Sequence, residues 1–275
     1  MIRKMKNEYY RRKEIYFRMK TLISSGFGRK NNDYFLVSYP KSGNTWVRFI
    51  LANLFKSDQE SINFTNVGEY VPDIYKEMEI QTLRNDSSGF NNFSLRLLKT
   101  HDNYSFIFKN TNVVYVARDG RDTLTSYYYY INARKETPVK LQDIIIQGTT
   151  YGLWSNHVLN WIKSRDHKKF FLLKYEDMRT NALIETKKLL TFLDLKIEEE
   201  SIKKSISLST VTKMKIIEHE FGHPVEKRVG TGKNVPFVRK AQIGDWKNLF
   251  SEKDTRLFWK YHSKGMDILG YEKNV

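Results

Sequence analysis

Around Gly43, a residue type that takes backbone angles others resist, Lys41, Ser42, Asn44 and Thr45 concentrate an ammonium, two hydroxyls and an amide. If a helix begins there, its unpaired N–H groups and a dipole worth about half a positive charge make an anion site, to which those side chains add donors. A second basic group stands at Arg118-Asp119-Gly120-Arg121-Asp122, followed by the hydroxyls of Thr123, Thr125 and Ser126. Arginine grips phosphate through a planar fork, so this stretch suits a second phosphate. A third, Arg239-Lys240-Ala241-Gln242-Ile243-Gly244, has the charge and the glycine of a segment that folds over an anion as a lid. His101, directly after Lys99 and Thr100, is a candidate base. Taken singly, each has an ordinary alternative: a capped turn for the first two, a packed or surface histidine for His101.

These groups act together only if the chain brings them to one place. Phe35, Leu36 and Val37 form a short β-favouring run, and Val47, Ile50, Leu51 and Leu54 recur at helical spacing, so a strand turns into a helix across the Lys41 loop. Leu95, Leu97 and Leu98 lead as a strand into His101, Asn112 to Ala117 reads as a buried strand ending at Arg118, and Phe170 to Leu173 as another ending before Tyr175. Helices are expected from Thr123, on the face shared by Trp154, Val158 and Trp161, over Leu183 to Leu193 with Leu189, Leu190, Phe192 and Leu193 buried, and over Leu257 to Tyr271. Residues 56–94 and 222–236 are polar and loop-like. Strands alternating with helices predict an α/β fold, three layers (α/β/α) around a central parallel sheet. Ligands of such sheets sit at the strands' carboxyl ends, where Lys41, His101, Arg118 and Tyr175 all fall.

The 275 residues suffice for one large domain over residues 31–275, preceded by a basic segment, residues 1–30. That segment reads as a solvated helix; weak contact with an anionic membrane is the functional alternative, and a nucleic-acid arm is not expected. The net charge of +16, from 47 basic and 31 acidic side chains, suits an anionic ligand. There is no cysteine, hence no disulfide or thiolate metal site. Neither a membrane-spanning run nor a signal-peptide core is visible, so the cytoplasm is the expected compartment.

Compared with the phosphate-binding loop Gly-x-x-x-x-Gly-Lys-Ser/Thr, the first glycine is Ser38 and the lysine position is Asn44, with the lysine moved to Lys41. The whole motif series, from about Asp33 to Tyr271, resembles the sulfotransferases that use 3′-phosphoadenosine 5′-phosphosulfate (PAPS), the cytosolic type and its bacterial relatives. Tyr39 to Trp46 resembles their 5′-phosphosulfate loop and Val114 to Tyr128 their 3′-phosphate element. Lys99-Thr100-His101 occupies the place of their catalytic strand end. Tyr151 to Val158, Tyr175 to Met178 and Arg239 to Trp246 complete the series.

The resemblance implies a P-loop NTPase-like sulfotransferase fold and transfer of a sulfuryl group from PAPS, without a metal, to an acceptor hydroxyl or amine. It implies that Lys41, Ser42, Gly43, Asn44 and Thr45 hold the 5′ end and that Arg118, Ser126, Arg239 and Lys240 hold the 3′ phosphate. Trp46 and Tyr175 would flank the adenine, His101 would act as general base and Lys99 would stabilise the transferring group. A small-molecule acceptor is expected, with a glycan or lipid head group as the alternative; Asp102 and Asp119 raise the idea of a cationic one. Against the family pattern, Asn44 replaces Thr, Ala241 replaces Gly, and Asp102-Asn103 replaces Leu-Pro. Only Lys247 of the family's dimer motif is present, so that dimer is not expected. A P-loop kinase and a non-enzymatic basic module are the rival readings.

Overall fold

A computed structural model describes residues 33–56, 59–74, 95–105, 108–222 and 236–273. Their elements are β1 (Asp33–Ser38), α1 (Asn44–Phe55), a single turn α2 (Val67–Tyr70), β2 (Arg96–Thr100), β3 (Asn112–Ala117), α3 (Gly120–Asn132), α4 (Leu141–Gln147), α5 (Trp154–Lys163), β4 (Phe170–Lys174), α6 (Tyr175–Thr180), α7 (Ala182–Phe192), α8 (Glu199–Leu208), α9 (Val211–Phe221) and α10 (Glu252–Leu269). All strands are parallel, in the order β2-β1-β3-β4.

A parallel sheet needs cover on both faces, and alternation along the strands supplies the side chains for it. Leu36, Leu97, Val114 and Leu173 point into one apolar core, packed by α1, α7 and α8. Phe35, Val37, Leu98, Val113 and Tyr115 point into the other, packed by α3, α4, α5 and α10. This is the expected three-layer α/β/α arrangement. Arg96, gripping buried Asp33 with a fork that includes a 2.7 Å bond, pins the register of β1 against β2. On the second face α5 and α10 approach closely because Gly265 has no side chain; a Cβ there would stand 2.8 Å from the backbone of Ser155. The register aligns Val37 with Thr100, Ser38 with Val116 and Ala117 with Lys174, so the carboxyl ends of all four strands lie level. Strand order reverses between β1 and β3, and that crevice is where α/β sheets bind ligands.

Two helices start earlier than periodicity indicated. The α3 helix begins at Gly120, not Thr123, because the Asp119 side chain caps the N–H of Arg121. The α10 helix begins at Glu252, not Leu257, because Ser251 and Asp254 form a capping box. Phe192 is only partly buried, packed edge-on against Tyr34 at 5.8 Å. Helices α4, α6, α8 and α9 were not foreseen; α8 and α9 are rich in lysine and glutamate and bury only a narrow stripe, including Ile202 and Met214. The expected N-terminal helix lies outside the described residues. No described helix is long and apolar enough to cross a membrane.

Candidate active site

The four carboxyl ends open into a cavity of about 420 Å³, within the usual size of small-molecule sites. Lys41, Gly43, Asn44, Thr45, Trp46, His101, Arg118, Ser126, Tyr175, Arg239 and Lys240 all line it. Ser42 is fully buried behind the loop and Lys99 is outside the lining.

The loop between β1 and α1 packs on the Tyr175 ring. Gly43 has φ 102, and a Cβ there would stand 2.5 Å from the Tyr175 ring, so this turn accepts only glycine. Lys41 also takes a left-handed φ of 73, a strain of about 1–2 kcal/mol for a residue with a Cβ. The α1 helix has no capping side chain and no acid in its first turn, which leaves the N–H groups of Asn44 and Thr45 to an outside acceptor, that of Trp46 being bonded to the Gly43 carbonyl. Ser42 Oγ and Trp46 Nε1 are buried without a hydrogen-bond partner. Asn44, which lines the cavity, also braces β1: its amide nitrogen donates back to the Leu36 carbonyl and to Ser38 Oγ at 3.2 Å, while its Oδ1 is buried without a partner.

Lys41 Nζ lies 3.8 Å from the centre of the Phe237 ring and 4.7 Å from that of Tyr130. Desolvation pushes its pKa down to about 7, and the nearby charges of Arg134 and Arg118 act in the same direction. A poorly solvated ammonium among other cations gains most when an anion arrives.

His101 is held in a single tautomer. Its Nδ1 lies 2.7 Å from the Ser38 carbonyl oxygen, which can only accept, so Nδ1 carries the proton and Nε2 the lone pair. Among the described residues none hydrogen-bonds that Nε2. Burial, then the charge of Lys99, holds the pKa well below the usual histidine value, so the ring is neutral at neutral pH. Lys99 does not reach the cavity, because its ammonium is paired with Asp73 at 2.6 Å behind His101. Buried His157 donates from Nε2 to the His101 carbonyl at 3.1 Å and accepts from Tyr115 on Nδ1 at 2.9 Å, which fixes the backbone from which His101 projects.

The two arginines of the second stretch separate. Arg118 faces the cavity, stacks on Tyr175 at 4.4 Å, donates to the carbonyls of Lys41 and Gln242, and keeps a buried Nε without a partner. Arg121 turns away, paired with Asp119 at 2.6 Å and lying on Trp246 at 4.3 Å. Asp119 and Asp102 do not line the cavity, and no described lining residue is acidic, which removes the basis for a cationic acceptor.

Sequence reasoning missed the residues that hold the lid segment. The Glu218 carboxylate accepts from the N–H groups of Phe237 and Val238, the second at 2.9 Å. Asp122 accepts from those of Gly244 and Trp246 at 2.7 and 2.9 Å. Between them Arg239 and Lys240 pair with Asp245, and Ala241 adopts a φ of 51 with its carbonyl bonded to the Tyr175 hydroxyl. Their partners are backbone groups 19 to 124 residues away, so no local pattern marks them. Among the described residues no cluster of three or more metal-ligating side chains is present.

The sulfotransferase domain model matches residues 31–270. Sulfotransferase 1 family member D1 of Mus musculus is 30% identical over 263 residues, spanning 88% of this chain and 85% of that protein. Sulfotransferase 1E1 of Bos taurus is 30% identical over 238 residues, spanning 82% and 80%. Mouse sulfotransferase SULT7A1, solved in complex with PAP, matches the fold with a TM-score of 0.66 at 22% identity, covering 92% of this chain and 94% of that one. With a family model over most of its length and relatives sharing nearly a third of its residues, this chain belongs to the sulfotransferase domain family.

Proposed function

We propose that the chain moves a sulfuryl group from PAPS to a hydroxyl or amine of a small-molecule acceptor. The observation that carries this reading is one cavity with two basic pockets, at Lys41 and at Arg118, beside a neutral histidine with a free Nε2. The residues fit such a donor: Ser42 Oγ, Trp46 Nε1, Arg118 Nε and Arg239 Nε are buried donors without partners, on both sides of the cavity. The cavity's size and aromatic wall of Tyr127, Tyr130 and Tyr151 favour a small acceptor over a glycan.

When bound, the donor supplies the activated sulfur, whose bond to the 5′-phosphate oxygen breaks as a bond from the acceptor forms, leaving adenosine 3′,5′-bisphosphate. His101 Nε2 receives the acceptor's proton. Lys41 and the first N–H groups of α1 neutralise charge on the departing phosphate, which is the larger task because such transfers depend on position and electrostatics more than on covalent help. Arg118, Ser126, Arg239 and Lys240 hold the 3′ phosphate, and Trp46 and Tyr175, edge to face at 5.8 Å, bound the adenine. Lys99 acts through His101, keeping it neutral.

Calorimetric titration with adenosine 3′,5′-bisphosphate tests the reading. Micromolar binding without metal, lost in Arg118→Ala and weakened in Lys41→Ala, is expected. No binding by the intact protein, or binding of ATP that requires magnesium, overturns it.

A further inference from the structure

The turn between α4 and α5 carries Thr149, Thr150 and Tyr151 into the wall of the cavity. Thr149 and Gly152 exchange N–H···O bonds at 3.0 and 2.9 Å. The Tyr39 hydroxyl accepts from the Thr149 N–H at 3.0 Å and donates to the Gly152 carbonyl at 2.7 Å, which ties the turn to the end of β1. The Tyr151 ring meets that of His101 edge-on, with centroids 5.6 Å apart. Asn103 joins this turn to the chain that carries His101, since its Nδ2 donates to the Tyr151 carbonyl at 2.8 Å across 48 residues of sequence. The backbone from which Asn103 reaches is itself held. Two buried side chains on α5 bond the carbonyls just before it, His157 Nε2 that of His101 at 3.1 Å and Trp161 Nε1 that of Asp102 at 2.8 Å. Asn103 does not line the cavity, and the family pattern has proline at its position, a side chain with no donor to offer.

Resting on the transferase reading, we propose that Asn103 is a positioning residue. Through its bond to the Tyr151 carbonyl it sets the Tyr151 ring against His101, and that ring orients the acceptor whose hydroxyl or amine gives its proton to His101 Nε2. Transfer depends steeply on such alignment, because a displacement of about 1 Å takes the reacting atoms out of line. The proposed donor groups, Lys41, Arg118, Arg239 and Lys240, stand on other segments of the cavity wall. Loss of the tether should therefore impair acceptor use and leave donor binding as it was.

Transfer to 4-nitrophenol, benzyl alcohol and benzylamine, one phenol, one alcohol and one amine, is measured at saturating PAPS in the intact protein and in Asn103→Leu, which keeps the approximate size of the side chain without its donor. The variant should lose about tenfold in kcat/KM for the acceptors that are used, the scale of one hydrogen bond, with bisphosphate affinity unchanged. Asn103→Gln, which keeps an amide, should recover part of the loss. In a Tyr151→Ala background Asn103→Leu should cost almost nothing further, because it acts through that ring. A second measurement needs no acceptor: the His101 ring-proton signals in NMR, shifted by the aromatic neighbour, should move in Asn103→Leu towards their positions in Tyr151→Ala. An unchanged kcat/KM, an equal loss in bisphosphate affinity, full additivity with Tyr151→Ala, or His101 signals that stay in place in Asn103→Leu each overturn the proposal. Absence of bisphosphate binding in the intact protein is a separate result that sinks the transferase reading, and the NMR signals then still decide whether Asn103 holds Tyr151 against His101.

Discussion

The loop from Tyr39 to Trp46 and the lid from Arg239 to Gly244 both bring cations to one cavity, but they hold them in opposite ways. Among the described residues Lys41 has no carboxylate partner; it rests on aromatic faces, on a strained backbone, with its pKa pushed down to about 7. Arg239 and Lys240 share Asp245, and the lid backbone hangs on Glu218 and Asp122 at its two ends. A bare, desolvated charge is worth most where negative charge grows during reaction, since nothing has to be displaced to use it. A compensated charge gives less per contact but keeps its segment in place without a ligand. In the proposed transfer the loop is therefore the reactive half of the site and the lid the retaining half.

This contrast is tested first where its effect is largest. Lys41→Ala should lower the transfer rate by about 10²- to 10³-fold, as for loss of one preorganised charge, while Lys240→Ala lowers it less than tenfold. Single-turnover rates measure both, and equal losses would erase the distinction. Gly43→Ala comes next. With φ 102 and Tyr175 in the way, the variant should lose most bisphosphate affinity, and calorimetry that finds it unchanged would show that the loop is not rigid. Glu218→Gln should act first on the lid, weakening bisphosphate binding several-fold, with a smaller effect on the rate at saturating donor because its charge also reaches Lys41.

Protonation sharpens the comparison further. In the folded protein Lys41 titrates near 7 instead of 10.5, so the unfolded chain holds the extra proton between those values. Stability is therefore reduced most below pH 7, and the penalty fades as pH rises towards 10.5. An anion in the loop raises the pKa again, so bisphosphate binding at pH 8 should take up about one proton. Calorimetry in buffers of different ionisation heat reads that uptake, which Lys41→Met should remove. Uptake that persists in the variant would place the titrating group elsewhere. The smallest effect belongs to Ala241→Gly: relief of the left-handed φ, offset by the freer unfolded chain, should stabilise by about 0.5 kcal/mol in thermal melts.

Much of this molecule is written locally. The strand-loop-helix from Asp33 to Phe55, the buried β3 run ending at Arg118 and the Trp154 face follow from periodicity and turn chemistry, because each is decided by residues a few positions apart. The order of the motifs likewise anticipated one shared cavity, since Lys41, His101, Arg118 and Tyr175 each follow a strand and parallel register brings such ends level. What each group does there was a matter for the tertiary structure. Asn44 braces β1, Arg121 leaves the cavity, Lys99 sits behind His101 on Asp73, and Glu218 holds the lid from another helix. Residue type sets what a side chain is able to bond, and sequence spacing sets its element and face. Which partner it meets depends on packing between segments tens of residues apart, and that was decided only when both faces of the sheet were covered.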